Sequence, residues 1–131
     1  METLQETKTN WKELTHQLGQ TFSQRAAEHD RQGEFVFSNY ELLQANGYFS
    51  LLVPKELGGA GMTYTEVCDI IRTIGQYCGS TALAFSMHQH LVAATVWKFI
   101  HKGEGAPLLE KVAAQQIVLV STGARDWLSR I

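Results

Sequence analysis

The chain has 131 residues, 44% hydrophobic and 18% charged, with a formal net charge of −2; this suits one domain with a real core and excludes disordered or collagen-like sequence. So small a charge gives no basic footprint for nucleic acid and no polybasic anchor for a membrane surface. The opening METLQETKTN has no apolar stretch behind a basic start, so no secretory signal is expected and a cytoplasmic setting is.

Asn10 and Glu13 form a capping box, after which Trp11, Leu14, Leu18, Phe22 and Ala26 mark one face of a first helix ending near His29 to Gly33. Ser38 and Glu41 repeat the signature for a short second helix with Leu42 and Leu43, stopped by Asn46-Gly47. Phe49 to Val53 predicts an extended apolar piece that meets Pro54 and a glycine-rich loop. Strand, glycine loop and helix in that order are the parts of a dinucleotide-binding turn. Here, however, no third glycine follows at the required offset, no Lys-Ser/Thr pair follows as in a P-loop, and no repeated strand-helix pattern supplies a parallel sheet. Gly58, Gly59 and Gly61 therefore read as conformational. Thr63 and Glu66 are a third capping box, opening a helix whose inward stripe is Val67, Ile70, Ile71 and Ile74 and which ends at Cys78-Gly79.

Ser80 to His101 is the centre of the pattern. Leu83, Met87, Leu91 and Ala94 follow a three-to-four spacing, and Ala84, Phe85, Val92, Val96, Trp97 and Ile100 make the other faces apolar. Such a helix, roughly 32 Å long and capped by Ser80, is expected to be buried. Thr73 to Trp97 contains no Asp, Glu, Lys or Arg, yet Gln76, Gly79, Ser80, His88, Gln89 and His90 interrupt it, so a soluble core helix is expected rather than a membrane span. Pro107 then sits in the first turn of a helix carrying Leu108, Leu109, Val112 and Ala113 and ending near Gln115. Ile117 to Val120 is a β-branched run that predicts a buried strand. A lone strand needs a ladder partner, so the expected organisation is a helical domain over 1–116 and the start of a β domain over 117–131.

Candidate chemistry is sparse. Cys68 and Cys78 fall about 15 Å apart along one helix and on different faces, too far for a disulfide, and buried reduced thiols are expected. His88 and His90 point about 200° apart on a helix, the wrong spacing for shared metal ligation, and with His101 and His16 read as core or pocket-facing residues. Ser86 lies four residues before His90, but a serine inside a helix bonds its own backbone carbonyl, so no nucleophilic site is expected. Glu41, Glu66 and Asp69 sit where caps and solvated faces place them. The remaining feature is the Ser-Met-His-Gln-His patch at 86–90, which either lines an apolar pocket with a few orienting groups or is ordinary core.

Gly47 to Leu91 resembles the N-terminal helical domain of the acyl-CoA dehydrogenase superfamily. The resemblance rests on Val53, Pro54, Glu56, Gly58, Gly59, Gly61, Glu66, Gly79 and Ser80, which follow that family's order. It implies an all-α helical bundle followed by a short C-terminal strand that begins a β domain. It also implies an FAD-dependent oxidoreductase in which a glutamate removes the α proton of an acyl-CoA thioester while a β hydride passes to the flavin. By position, Met87, His88, His90 and Leu91 are implied to face the substrate, and Val120, Ser121 and Thr122 the flavin. The tail STGARDWLS lacks the family's Glu-Pro pair and is more similar to the flavin monooxygenase branch. Since the catalytic glutamate and most of the FAD site have no counterpart here, the chain alone is expected to be inactive, to bind FAD weakly or not at all, and to self-associate as a homo-oligomer. The competing class is a non-catalytic helical binding module on the same fold.

Overall fold

Helices begin where a side chain can satisfy amides that the first turn leaves unpaired. The computed structural model describes residues 9–121. In it, Asn10 Oδ1 accepts the Glu13 N–H at 3.1 Å and opens α1, Trp11–Gln32, which closes on left-handed Gly33. Helix α2, Phe37–Ala45, starts earlier than the Ser38 signature predicts: Val36 occupies the cap and no side chain caps it. Thr63 Oγ1 accepts the Glu66 N–H at 3.2 Å and opens α3, Tyr64–Tyr77. A single extended residue, Cys78, joins α3 to α4, Gly79–Lys102, so Ser80 lies inside the first turn and is not the cap. Helix α5, Ala106–Gln115, has Pro107 in its first turn as expected.

The described residues are all-α, and none of them forms a strand. Phe49 to Val53 is not extended: Tyr48–Ser50 is a 3-10 turn, Leu51 and Leu52 continue turning, and a second 3-10 turn follows at Lys55–Leu57. Residues 117–121 likewise have no ladder partner; the Leu119 N–H goes instead to an imidazole nitrogen of His88.

Helix α3 packs between α1 and α4, and α5 closes over α4 and the two 3-10 turns. A Cβ on Gly19 would stand 2.2 Å from the Tyr77 ring, so the missing side chain lets α1 and α3 approach there. At that contact Tyr77 Oη lies 2.7 Å from His16 Nδ1. The core is centred on the 48–53 segment, with Tyr48, Phe49, Leu51 and Val53 fully or almost fully enclosed beside Phe22, Leu43, Ile74, Phe85, Val92, Leu109 and Val112. Edge-on rings fill its middle: Trp11 and Phe85 lie 5.2 and 6.2 Å from Tyr48, and Tyr40 lies 5.3 Å from Phe49.

Helix α4 corrects the expectation of a rod buried all round. Its inward stripe is Thr81, Ala82, Phe85, His88, Gln89 and Val92. The stripe chosen from spacing faces outward, with Leu83 69% and Met87 46% exposed, and Trp97 and Ile100 add 54% and 67% further along. The thiols divide in the same way: both are free, Cys78 is buried and Cys68 is exposed. Among the described residues no helix is long and apolar enough to cross a membrane.

The glycine loop is fixed by its own backbone. The amides of residues 58–62 go in turn to the carbonyls of Lys55, Pro54, Ser50, Val53 and Leu51, at 2.8–3.1 Å. A Cβ on Gly59 would stand 2.1 Å from the Val53 carbonyl oxygen, a backbone atom that cannot step aside. Gly59→Ala is therefore expected to cost about 3 kcal/mol or more in urea denaturation. Gly79→Ala, where nothing lies within 4 Å, is expected to stay within about 1 kcal/mol of the parent.

Candidate functional site

A buried irregular segment must find partners for its peptide groups outside any ladder. The inward polar residues of α4 supply them. Gln89 Nε2 donates to the Tyr48 carbonyl at 2.9 Å, and His88 Nε2 lies 2.7 Å from the Phe49 carbonyl. From the other side Gln116, which ends α5 in a left-handed conformation at φ 50°, accepts the Phe49 N–H on Oε1 at 3.1 Å and donates from Nε2 to Ser50 Oγ at 2.8 Å. Thr15 gives its hydroxyl hydrogen to the Trp11 carbonyl, so the Tyr48 hydroxyl donates to Thr15 Oγ1 at 2.8 Å. Asn39 Nδ2 reaches Thr81 Oγ1 at 2.9 Å and ties α2 to α4.

His88 is fully buried, with Phe49 edge-on at 5.0 Å. The Leu119 N–H donates to Nδ1 at 2.9 Å, so Nδ1 is bare and Nε2 carries the hydrogen given to Phe49. Burial lowers the histidine's proton affinity, against the opposing pull of the Phe49 carbonyl. Burial also raises the phenols of Tyr48 and Tyr40, the latter to about 12, so both stay neutral around this site.

Two residues along, His90 is exposed and borders a groove of about 570 Å³ on the outer side of α4. Leu52, Met62, Tyr64, Val96, Trp97 and Ile100 give that groove an apolar wall, and Thr63, His90 and His101 give it a polar edge, the make-up usual for a small-molecule site. A smaller hollow of about 300 Å³ between α3 and α4 is bordered by Met87, Gln89, His90 and Cys68. The groove's far end carries Trp97, with the His101 ring at 4.6 Å and Lys102 Nζ at 6.0 Å.

The four residues implied to face substrate thus divide. Met87 and His90 share the rim of one hollow, half-buried Leu91 borders neither cavity, and His88 faces the opposite way, into the core. Of the three implied to face flavin, Val120 is 79% exposed, Ser121 is exposed, and Thr122 lies outside the described residues. No group of three or more potential metal ligands occurs among the described residues. Sequence reasoning missed Gln89 and Gln116 as holders of the buried turn; the available signal was two glutamines bordering apolar runs with no charge to pair.

The family profile described as "Acyl-CoA dehydrogenase, N-terminal domain" matches residues 5–116. A probable FMNH2-dependent monooxygenase of Pseudomonas putida is 29% identical over 103 residues, 79% of this chain and 26% of that protein. Dibenzothiophene monooxygenase of Rhodococcus erythropolis is 29% identical over 99 residues, 76% of this chain and 20% of that one. Among solved structures, methanesulfinate monooxygenase from Pseudomonas fluorescens superposes with a TM-score of 0.75 at 26% identity, covering 89% of this chain and 31% of its own. The chain therefore spans between a fifth and a third of the length of these relatives.

An apolar helix face of this extent is expected to associate in solution. Sedimentation of the chain should show self-association that grows with concentration. The double variant Trp97→Ser, Ile100→Ser should shift it toward monomer with unchanged far-ultraviolet helicity.

Proposed function

The chain belongs to the acyl-CoA dehydrogenase N-terminal domain family, and from that premise we propose that it is the helical domain of a flavin-dependent oxidoreductase, supplying one wall of the cavity shared by substrate and flavin. The observation that carries the reading is the inverted α4: Thr81, His88 and Gln89 are turned into the core, while Val96, Trp97 and Ile100 line an open groove. A wall of that chemistry suits an apolar substrate or a flat aromatic ring, with Thr63, His90 and His101 as its orienting edge and Met87 in the adjoining hollow. Residues 117–121 lie against the helical core through Ile117 and Leu119, with Val120 and Ser121 exposed at the end of the described segment; in the proposed enzyme a β layer begins there and these two residues meet the flavin.

A flavin fits this chain in part. The groove offers an apolar face for its ring, whereas the glycine-loop amides are all taken by backbone carbonyls and leave no cradle for its phosphate. When bound, the flavin supplies the redox chemistry, whether as FAD or as reduced FMN. The chain's own residues exclude water from one side and orient the ligand. The relatives named above favour a monooxygenase acting on a small substrate. An acyl-CoA dehydrogenase is the second reading, favoured by the family itself.

With one wall only, neither FMN nor FAD, oxidised or reduced, should bind the 131-residue chain more tightly than roughly 10 µM. Stoichiometric flavin on the purified chain would contradict the single-wall reading. The positive test is a chimera in which residues 9–116 replace the matched domain of the methanesulfinate monooxygenase. Recovery of reduced-flavin binding is expected, and a folded chimera without it would overturn the proposal.

A further inference from the structure

His88 joins two stretches of chain that are far apart in sequence. Through Nε2–H it holds the Phe49 carbonyl of the buried turn, and through bare Nδ1 it holds the Leu119 amide of the segment that follows α5. The two contacts respond differently to a proton. Protonation places a hydrogen on Nδ1 facing the Leu119 N–H, two donors 2.9 Å apart with no acceptor between them. The bond to Phe49 keeps its donor and gains charge. Meanwhile Gln116 roots the segment independently, through Phe49 N and Ser50 Oγ.

From this geometry we infer that His88 is a positioning residue: its neutral imidazole fixes residues 117–121 against α4, and uptake of one proton releases them while the buried turn stays in place. The proposal rests on the oxidoreductase reading only for where that segment leads, namely to the proposed flavin contacts Val120 and Ser121.

Few other groups bear on the switch. The turn itself brings Tyr48 and α2 brings Tyr40, both kept neutral by burial. Glu41 of α2, Lys55 and Glu56 beyond the turn, His90 of α4, and Glu110 and Lys111 of α5 are all exposed. The described ion pairs, Arg31 with Glu28 and Arg72 with Asp69, do not involve His88. The sign follows from burial. The closed form binds the proton less tightly than an open or unfolded histidine, whose ordinary value is about 6.5. The latch is therefore fully closed above that pH and opens as pH falls below it.

Nitrogen-15 NMR of the whole chain tests this without any flavin, so its outcome is separate from that of the oxidoreductase reading. The imidazole should show the Nε2–H tautomer at neutral pH. Leu119 amide protection, corrected for intrinsic exchange, should fall at least about tenfold on acidification, following the His88 titration and preceding global unfolding. His88→Asn, whose carbonyl oxygen falls near the Nδ1 position, should keep Leu119 protected and remove the pH dependence. His88→Gln, whose amide nitrogen falls near Nε2, should keep the Phe49 contact and lose Leu119 protection. An Nδ1–H tautomer would overturn the proposal, as would Leu119 protection that ignores the His88 titration. Both readouts come from the parent chain, so they stand even if a variant fails to fold.

Discussion

The fold depends on burying a piece of backbone that is neither helix nor strand. Residues 48–53 sit at the centre of the core, and peptide groups there cost about 1–3 kcal/mol each if left without partners. Helices α1 and α4 and the end of α5 are placed so that Thr15, His88, Gln89 and Gln116 reach that segment. Side-chain amides and an imidazole replace a neighbouring strand. The consequence for α4 follows from its period: with Thr81, His88 and Gln89 turned inward, an apolar stripe must turn outward.

This explains which parts of the fold were legible in the sequence. Local chemistry read true at Asn10 and Thr63, where a capping side chain precedes a glutamate at the third helical position, and at Gly33 and Gly47, where a positive φ removes the Cβ penalty. It failed at Ser38 and Ser80, because a good capping residue does not begin a helix when the preceding residue already turns into it. Phe49 to Val53 and Ile117 to Val120 read as strands for the same reason: an apolar run suggests burial, whereas a ladder requires a partner that composition does not reveal, and in the second run Val118 and Val120 are exposed as well as unpaired. On α4 the rule that apolar faces point inward selected the wrong stripe, since it assumes that nothing inside needs polar service. That failure is informative, because it leaves Leu83, Met87, Trp97 and Ile100 as an exposed apolar stripe.

The glycine motif shows how one pattern admits two chemistries. In a phosphate site, consecutive loop amides point at the ligand. Here five consecutive amides, from Gly58 to Met62, fold back onto carbonyls of residues 50–55, and Gly59 is required because the Val53 carbonyl occupies the place of a side chain. The motif pins the buried turn from its outer side, as His88 and Gln89 pin it from within. Its glycines therefore belong to the same constraint as the polar face of α4.

The two sides of α4 are coupled by geometry alone. His88 and His90 are two residues apart, hence on nearly opposite faces, one closed on backbone groups and the other open to the groove. A rotation of α4 that improved the fit of a ligand along His90, Trp97 and Ile100 would carry His88 away from Phe49 and Leu119. The buried bonds are shielded from water, and breaking them would leave peptide groups of the core without partners, so they oppose that rotation. The core thus sets the azimuth of the helix, the azimuth sets which side chains border the groove, and the same imidazole ties residues 117–121 to the buried turn. Groove and closing segment are both referenced to one buried turn, the register that the proposed single wall of a larger cavity requires.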